Sequence, residues 1–438
     1  MLNSINSLAR EFLEISDGKT IRIISHYDTD GITSAAIVSK ALKRLDKKFS
    51  LKIVKGLEEN IIAKELERVE REIILFIDLA SGNLDYFQKL RNPIFILDHH
   101  EIDSAKLNAN IKIINPHLFN EEEICGAGLA YLFAKAISSD NIDLADLSII
   151  GMIGDRLESN LSKINQQIIN DSKELVIKKG LLIFSATRPL RKSLEYSTST
   201  YIPGVTGSST GVLELLREIN ISPERTLYDL NEEEMSRLVT AVMIRRAKHG
   251  EKDEIIGNIY LLKFFNRRED VRELSVLINA CSRLGYSDIA ISFCLGDKKA
   301  ENYAQDIYVR YRQELLNGLN LVKKIEKIEG SGFAIINAKN EIKDTIIGTI
   351  TSILSSSSYY EDGTVLIGMA YSEDKIKVSA RIVGSGRNLK EILEKSTLNL
   401  KCEVGGHQSA AGCLIKKEDE GEFINTLKKN LEIEVLKV

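Results

Sequence analysis

The chain has 438 residues, 59 Lys and Arg against 63 Asp and Glu, a formal net charge of −4 and 43% hydrophobic residues. That length predicts two or three soluble domains, and the charge balance excludes a uniformly basic nucleic-acid binder, so such a partner would need a local basic groove on an acidic body. No apolar run reaches the roughly 18 residues of a membrane span. The N-terminus carries Glu11 and Glu14 where a signal peptide would have its apolar core. The five cysteines are scattered and never spaced CxxC, which predicts reduced thiols in a cytoplasmic protein and no zinc site.

The first strong pattern is IRIISHYDTDGITSAA, Ile21 to Ala36. A short apolar strand ends in His26, Asp28 and Asp30, and Gly31 turns the chain into a helix. Acids two apart in extended chain project to one side, where they repel unless a cation joins them. A second strand is expected at Leu51 to Leu57, an amphipathic helix at Ile61 to Arg71, and a strand at Ile73 to Ile77 that ends in Asp78. Ser81, Gly82 and Asn83 follow as turn residues, then a short helix. Pro93 to Leu97 forms a strand ending in Asp98, His99 and His100, and Ile111 to Asn115 one more. Helices are expected at Gly126 to Ser138 and at Leu144 to Met152, the latter running into Gly154 and Asp155. This alternation predicts an α/β fold with a mostly parallel sheet and helices on both faces.

From about Asn165 to Cys294 the pattern is mostly helical, broken by a Ser/Thr/Gly-rich loop at Tyr196 to Gly211. Asn302 to Glu329 reads as one long connecting helix. The remainder alternates strand and helix again and ends in the glycine-rich GGHQSAAG and a helix at Gly421 to Asn430. The expected division is therefore residues 1–300, with a core at 1–160 and a helical continuation at 161–300, a connecting helix at 301–329, and a smaller α/β domain at 330–438 across a cleft.

If the strands ending in Asp28/Asp30, Asp78 and Asp98/His99/His100 are sheet neighbours, their acids and imidazoles converge at one sheet edge, where Asp155 can join them. Carboxylates plus imidazoles without thiolate suit two divalent cations, Mn²⁺ best and Mg²⁺ next. Two such ions neutralise phosphate charge and activate water near neutral pH. A lone strand-final Asp is usually a turn residue or a helix cap. Paired histidines are usually surface residues, the reading kept for His117 and His249. The ordered set HxDxDG, Asp78, DHH and GxxGD outweighs that ordinary reading.

These motifs, SHYDTDGITSA, FIDLASGN, ILDHH and GMIGDR, resemble the four successive motifs of the DHH phosphoesterase superfamily, and GGHQSAAG resembles the signature of its DHH-associated C-terminal domain. RPLRKSLEYSTSTYIPG at Arg188 to Gly204 and ELSVLINACSRLG at Glu273 to Gly285 resemble archaeal RecJ-like proteins. The resemblance implies that Asp28, Asp30, Asp78, His99 and Asp155 hold two Mn²⁺ or Mg²⁺ ions, with Asp78 bridging and His26 a further ligand. It also implies that Asp98 orients a neighbouring imidazole and that His100 contacts the scissile phosphate or leaving oxygen. Arg381, Arg387, Gly405, Gly406 and His407 would grip phosphate, and the connecting helix with Arg310, Arg312, Lys323 and Lys324 would set the cleft width. The implied activity is a metal-dependent exonuclease releasing mononucleotides from single-stranded DNA or RNA, with a lean towards 3′→5′. A helicase or another replication or repair protein is the implied partner. The alternatives are a scaffold subunit of a replicative helicase and a phosphoesterase for oligoribonucleotides, cyclic dinucleotides or pyrophosphate.

Overall fold

The structure is a computed structural model that describes residues 1–119, 123–183, 185–197, 200–247, 255–357, 359–400, 402 and 404–435. It forms two compact units, Met1–Tyr308 and Val309–Val438. His249, Ser358 and part of the expected loop at 196–211 lie outside the described residues.

The first unit opens with α1 (Leu2–Ile15), β1 (Thr20–His26), α2 (Thr29–Arg44), β2 (Phe49–Val54), α3 (Glu59–Leu66), β3 (Glu72–Ile77), β4 (Ile94–Leu97) and β5 (Ile111–Ile114). The five strands pair in parallel in the order β2-β1-β3-β4-β5. Both faces of the sheet are apolar, as buried parallel strands require. Ile24, Ile74, Phe76 and Ile96 pack with Ile62 of α3 and with Leu84 and Phe87. On the other face Phe95 meets Phe12 of α1 edge-on at 5.0 Å, and Phe12 meets Phe133 at 5.3 Å. The strand order reverses between β1 and β3, and ligands bind at such switch points, outside the carboxyl ends of the strands.

The chain continues through α4 (Gly126–Ile137), α5 (Ala145–Gly154), α6 (Lys163–Asp171), β6 (Val176–Leu181), α7 (Leu190–Glu195), α8 (Ser209–Glu218) and α9 (Glu232–Ala247). After β7 (Ile256–Phe264) and β8 (Arg267–Asp270) come α10 (Val271–Arg283), α11 (Ser287–Cys294) and α12 (Lys298–Val322). The helical middle region thus contains a small antiparallel sheet, β6-β7-β8, that helical periodicity does not announce. Leu181 and Leu261 of this sheet bury against Leu215, Leu238 and Val242 of α8 and α9. No helix among the described residues is long and apolar enough to cross a membrane.

The second unit carries β9 (Ile328–Gly330), β10 (Phe333–Asn337), α13 (Asp344–Ser355), β11 (Val365–Ser372), β12 (Lys375–Ile382), α14 (Leu389–Thr397), β13 (Val404–Gly406), β14 (Ala410–Lys416) and α15 (Glu420–Val435). Its mixed sheet runs β13-β14-β12-β11-β10-β9. The expected helix at Asn302 to Glu329 therefore stops at Val322, and its last residues become strand β9.

Because Phe12 is fully buried between two aromatic rings, Phe12→Ala should cost about 3–5 kcal/mol and lower the urea midpoint of unfolding. An unchanged midpoint would mean that α1 is not part of the core of the first unit.

Candidate metal centre

Three strands deliver the acids to one end of the sheet. His26 ends β1, Asp78 follows β3, and Asp98, His99 and His100 follow β4. Buried Ser25 fixes the first turn, its hydroxyl lying 2.8 Å from the Gly31 carbonyl and 3.2 Å from the Ile77 carbonyl. The expectation that Asp28 and Asp30 share an extended stretch is corrected here. Asp28 is the extended N-cap of α2 and accepts from the Gly31 N–H at 3.0 Å, whereas Asp30 already lies in the first helical turn. Gly31 is helical as well. What it supplies is space, because a Cβ there would lie 2.3 Å from the His26 carbonyl oxygen.

The two acids consequently face different neighbours. The His26 Nδ1 lies 2.9 Å from Asp28 Oδ2 and 3.6 Å from Asp78 Oδ2. The His99 Nε2 lies 3.2 Å from Asp78 Oδ1, 3.5 Å from Asp155 Oδ2 and 3.8 Å from Asp30 Oδ2. Ligand atoms fall into three groups, each within 4.8 Å: His26, Asp28 and Asp78; Asp78, His99 and His100; Asp30, His99 and Asp155. Asp78 belongs to two of them.

Asp78 is 1% exposed, and neither of its carboxylate oxygens has a hydrogen-bond partner of good geometry, although the His99 Nε2 and His26 Nδ1 stand 3.2 and 3.6 Å away. It sits at φ 60°, and nearby Ala80 and Arg156 also have positive φ, at 95° and 60°. Such backbone persists only where the surroundings enforce it. A buried carboxylate without a donor is unfavourable unless a cation meets it. The residues present therefore fit divalent metal: four carboxylates and imidazoles, all at one sheet edge, with orphaned oxygens at their centre.

Several supporting groups carry no sequence signal of their own. The N-terminus of α4 points at Asp30, whose Oδ2 and Oδ1 accept the Gly126 and Ala127 N–H groups at 2.6 and 2.8 Å. This uses the positive end of a helix to hold an acid. The clue in the sequence is CGAG at the head of an apolar helix. Asp98 is fully buried and accepts from the Ser81 N–H at 2.8 Å, while its Oδ1 lies 2.7 Å from the His100 Nδ1. Asn115, at the end of β5, donates to the Ser81 hydroxyl and the His100 carbonyl, each at 2.9 Å. Thr29 donates to the Ser275 carbonyl at 2.8 Å, which ties α2 to α10. From α10 the Arg283 guanidinium reaches to 5.7 Å from the Tyr27 ring, between His26 and Asp28 in sequence.

Burial, reinforced by the charge of Asp78, pushes the Asp30 carboxyl up to about 7. Burial and Asp30 push Asp155 well above the carboxylate range. Burial works against protonation of His26 and His99, but Asp28 and Asp78 outweigh it and hold both imidazoles well above their ordinary range. Burial would raise Asp28 and Asp98, yet His26 and His100 respectively hold them low.

In the second unit, the register sets Arg381 of β12 opposite Ala410 of β14. Ala410 closes the hairpin turn by accepting the His407 N–H at 2.7 Å. Gly405 and Gly406 lie on the exposed edge strand β13, so the structure brings Arg381 and the glycine hairpin to the same end of one sheet. Arg381 donates to the Ser352 hydroxyl at 2.8 Å. Arg387, in the loop after β12, turns towards α15 and donates to the Leu431 carbonyl at 3.4 Å.

Comparison with known proteins matches residues 20–152 to the DHH family N-terminal domain, 183–259 to the DHH-CID domain and 321–432 to the DHHA1 domain. The chain is 30% identical over 419 residues to an uncharacterized protein of Methanocaldococcus jannaschii, covering 92% of this chain and 91% of that one. It is 23% identical over 425 residues to the single-stranded-DNA-specific exonuclease RecJ of Bacillus subtilis, covering 92% of this chain but 44% of that protein. The chain is a RecJ-like member of the DHH superfamily.

This DHH protein shares its fold with RecJ of Thermus thermophilus in complex with Mn²⁺, at 17% identity and a TM-score of 0.62 over 98% of this chain and 55% of that one. CDC45 of Entamoeba histolytica is likewise similar in fold, at 11% identity and a TM-score of 0.68, covering 98% and 99% of the two chains.

A Cβ at Gly126 would lie 2.7 Å from the Asp78 Cβ and 2.9 Å from Asp30 Oδ2, whereas one at Gly56 meets nothing within 4 Å. Gly126→Ala should therefore lower Mn²⁺ affinity at least about tenfold by calorimetry, with Gly56→Ala unchanged; equal affinities would separate α4 from the centre.

In chelator, the raised Asp30, Asp155, His26 and His99 make the folded state hold more protons than the unfolded chain. Stability should then fall as pH rises from the carboxylate range through neutrality, while the lowered Asp28 and Asp98 oppose this only below about pH 4. Metal displaces these protons, so the gain in melting temperature on adding Mn²⁺ should grow from about pH 6 to about pH 8. A gain that shrinks over that range would contradict the assignment.

Proposed function

We propose that this chain is a metal-dependent exonuclease that hydrolyses single-stranded DNA, and RNA as a second substrate, to mononucleotides from the 3′ end. The observation that carries the reading is Asp78: a buried carboxylate with no hydrogen-bond partner, shared by two groups of metal-ligating side chains. Asp28, with His26 as a further ligand, would hold one ion. Asp30, His99 and Asp155 would hold the other, and Asp78 would serve both. Divalent cations supply charge neutralisation and water of lowered pKa when bound, and the mixed carboxylate–imidazole set favours Mn²⁺ with Mg²⁺ accepted. Water is then the nucleophile, and no side chain need attack phosphorus.

The remaining residues position the strand and move a proton. Asp98 occupies the His100 Nδ1 and raises the affinity of that imidazole for a proton against the opposing effect of burial, which directs Nε2 to a phosphate oxygen or the leaving oxygen. In the second unit, Arg381 and Arg387 offer guanidinium groups that match phosphate geometry. Gly405 and Gly406 let backbone N–H groups approach a phosphate, and His407 donates to it. The similarity to a RecJ whose name specifies single-stranded DNA supports the choice of substrate. A second reading, a scaffold within a replication assembly, draws on the similarity to CDC45; the intact set of acids and imidazoles weighs against it, though a helicase or repair protein remains the partner we favour.

Incubation with Mn²⁺ and strands labelled at either end should give a product ladder, lost to background in Asp78→Ala. Metal bound without cleavage of any strand would sink the nuclease and leave the scaffold. Asp98→Asn should reduce the rate by about 10- to 100-fold. Arg381→Ala and His407→Ala should weaken strand binding by about tenfold or more at unchanged metal content; loss of metal would place these residues in the metal centre.

A further inference from the structure

The most exposed aromatic side chain among the described residues is Tyr359, at 73%. It lies in the connection between α13 and β11, and two contacts hold its ring. Tyr360 meets it edge-on at 4.9 Å and 74°, and the Lys327 ammonium lies 5.1 Å from its centroid. Tyr360 is itself anchored, packing with Leu354 against the buried cluster of Ala334, Leu366 and Val383. An exposed ring braced by an anchored neighbour keeps an open surface without collapsing onto the protein.

Its position is specific. Leu366 of β11 pairs with Arg381 of β12, which pairs with Ala410 of β14, where the His407 turn closes. Arg381 also projects towards α13, onto Ser352, the same side on which Leu354 supports Tyr360. The aromatic pair and the glycine hairpin thus flank Arg381 at one end of one sheet. The pair packs over Leu366 and Ala334, and Lys327 beside it directly precedes β9, so it stands about two to four strand spacings, or ~10–20 Å, from β14, a reach of about two or three nucleotides of extended strand. The loop beside Tyr359 carries exposed Glu361 and Asp362, which disfavour a phosphate there. A flat, uncharged base fits better.

We propose that Tyr359 is a stacking platform for a nucleobase of the substrate strand, within a few nucleotides of the phosphate that Arg381 and His407 hold; the proposal rests on the strand-binding reading above. Stacking on an aromatic ring is tolerant of base identity, so the platform would select a strand with bases over a bare phosphodiester or pyrophosphate without imposing a sequence.

The chain contains no tryptophan, so Tyr359→Trp installs a single reporter at the site. In chelator, to prevent hydrolysis, a labelled oligothymidylate should bind Tyr359→Ala about 5- to 100-fold more weakly than wild type by fluorescence anisotropy, and Tyr359→Phe like wild type. The Tyr359→Trp emission should be quenched by oligothymidylate and not by a strand of abasic residues of equal length. Strand binding by wild type with Tyr359→Ala equally tight, or quenching that is the same with the abasic strand, would overturn the platform alone. Failure of wild type to bind any strand would overturn the platform together with the nucleic-acid substrate.

Discussion

The first unit depends on one electrostatic constraint: four carboxylates must be kept together at the end of a parallel sheet. Left to themselves they would repel, protonate or turn outwards. Each is instead fixed by a different device. Asp28 caps its own helix. Asp30 is held by the N-terminal N–H groups of α4. Asp78 is locked by left-handed backbone directly after β3, and Asp155 ends α5 as its C-cap residue. Both oxygens of Asp78 are fully buried without a hydrogen-bond partner. Hydrogen bonds therefore aim Asp28 and Asp30, while the Asp78 oxygens are left open to positive charge.

The same constraint explains the surrounding fold. Placing β1 between β2 and β3 puts the β1 and β3 turns side by side at the switch point, and pairing β3 with β4 brings the DHH segment alongside. Small residues keep the helices close. A Cβ at Gly151 would lie 2.5 Å from the Ala127 Cβ and 2.7 Å from Asp30 Oδ1, so α5 approaches α4 and α2 only because that position lacks a side chain. Imidazoles supply the positive charge that the acids need when no metal is bound, which is why His26 and His99 hold their protons so strongly.

Much of this was legible in the sequence because it is written in side chains. Apolar runs ending in Asp28, Asp78 and Asp98 announce parallel strands whose carboxyl ends carry chemistry, and the motif order names the family. What stayed hidden is written in backbone or in distance along the chain. CGAG marks the start of a helix, but it does not say that the Gly126 and Ala127 N–H groups meet Asp30, about a hundred residues earlier, because a peptide N–H has no letter. Buried Ser81 and Asn115, which steady Asp98 and His100, look like an ordinary turn residue and the last residue of a strand. The small sheet of the middle region was hidden for a similar reason: β6 reads VIKKGL, too polar to stand out, and its partner β7 lies some 75 residues further on. In the second unit, GGHQSAAG reads as a phosphate loop by resemblance, while the hairpin register that sets Ala410 beside Arg381 emerges only from strand pairing.

The central claim is that Asp78 joins two cations in one centre. Titration of the full chain with Mn²⁺, followed by electron paramagnetic resonance, tests it most directly. The account predicts two ions per chain with a spin-coupled signal that Asp78→Asn converts to an uncoupled one. A single uncoupled ion per chain in the wild-type protein would contradict it.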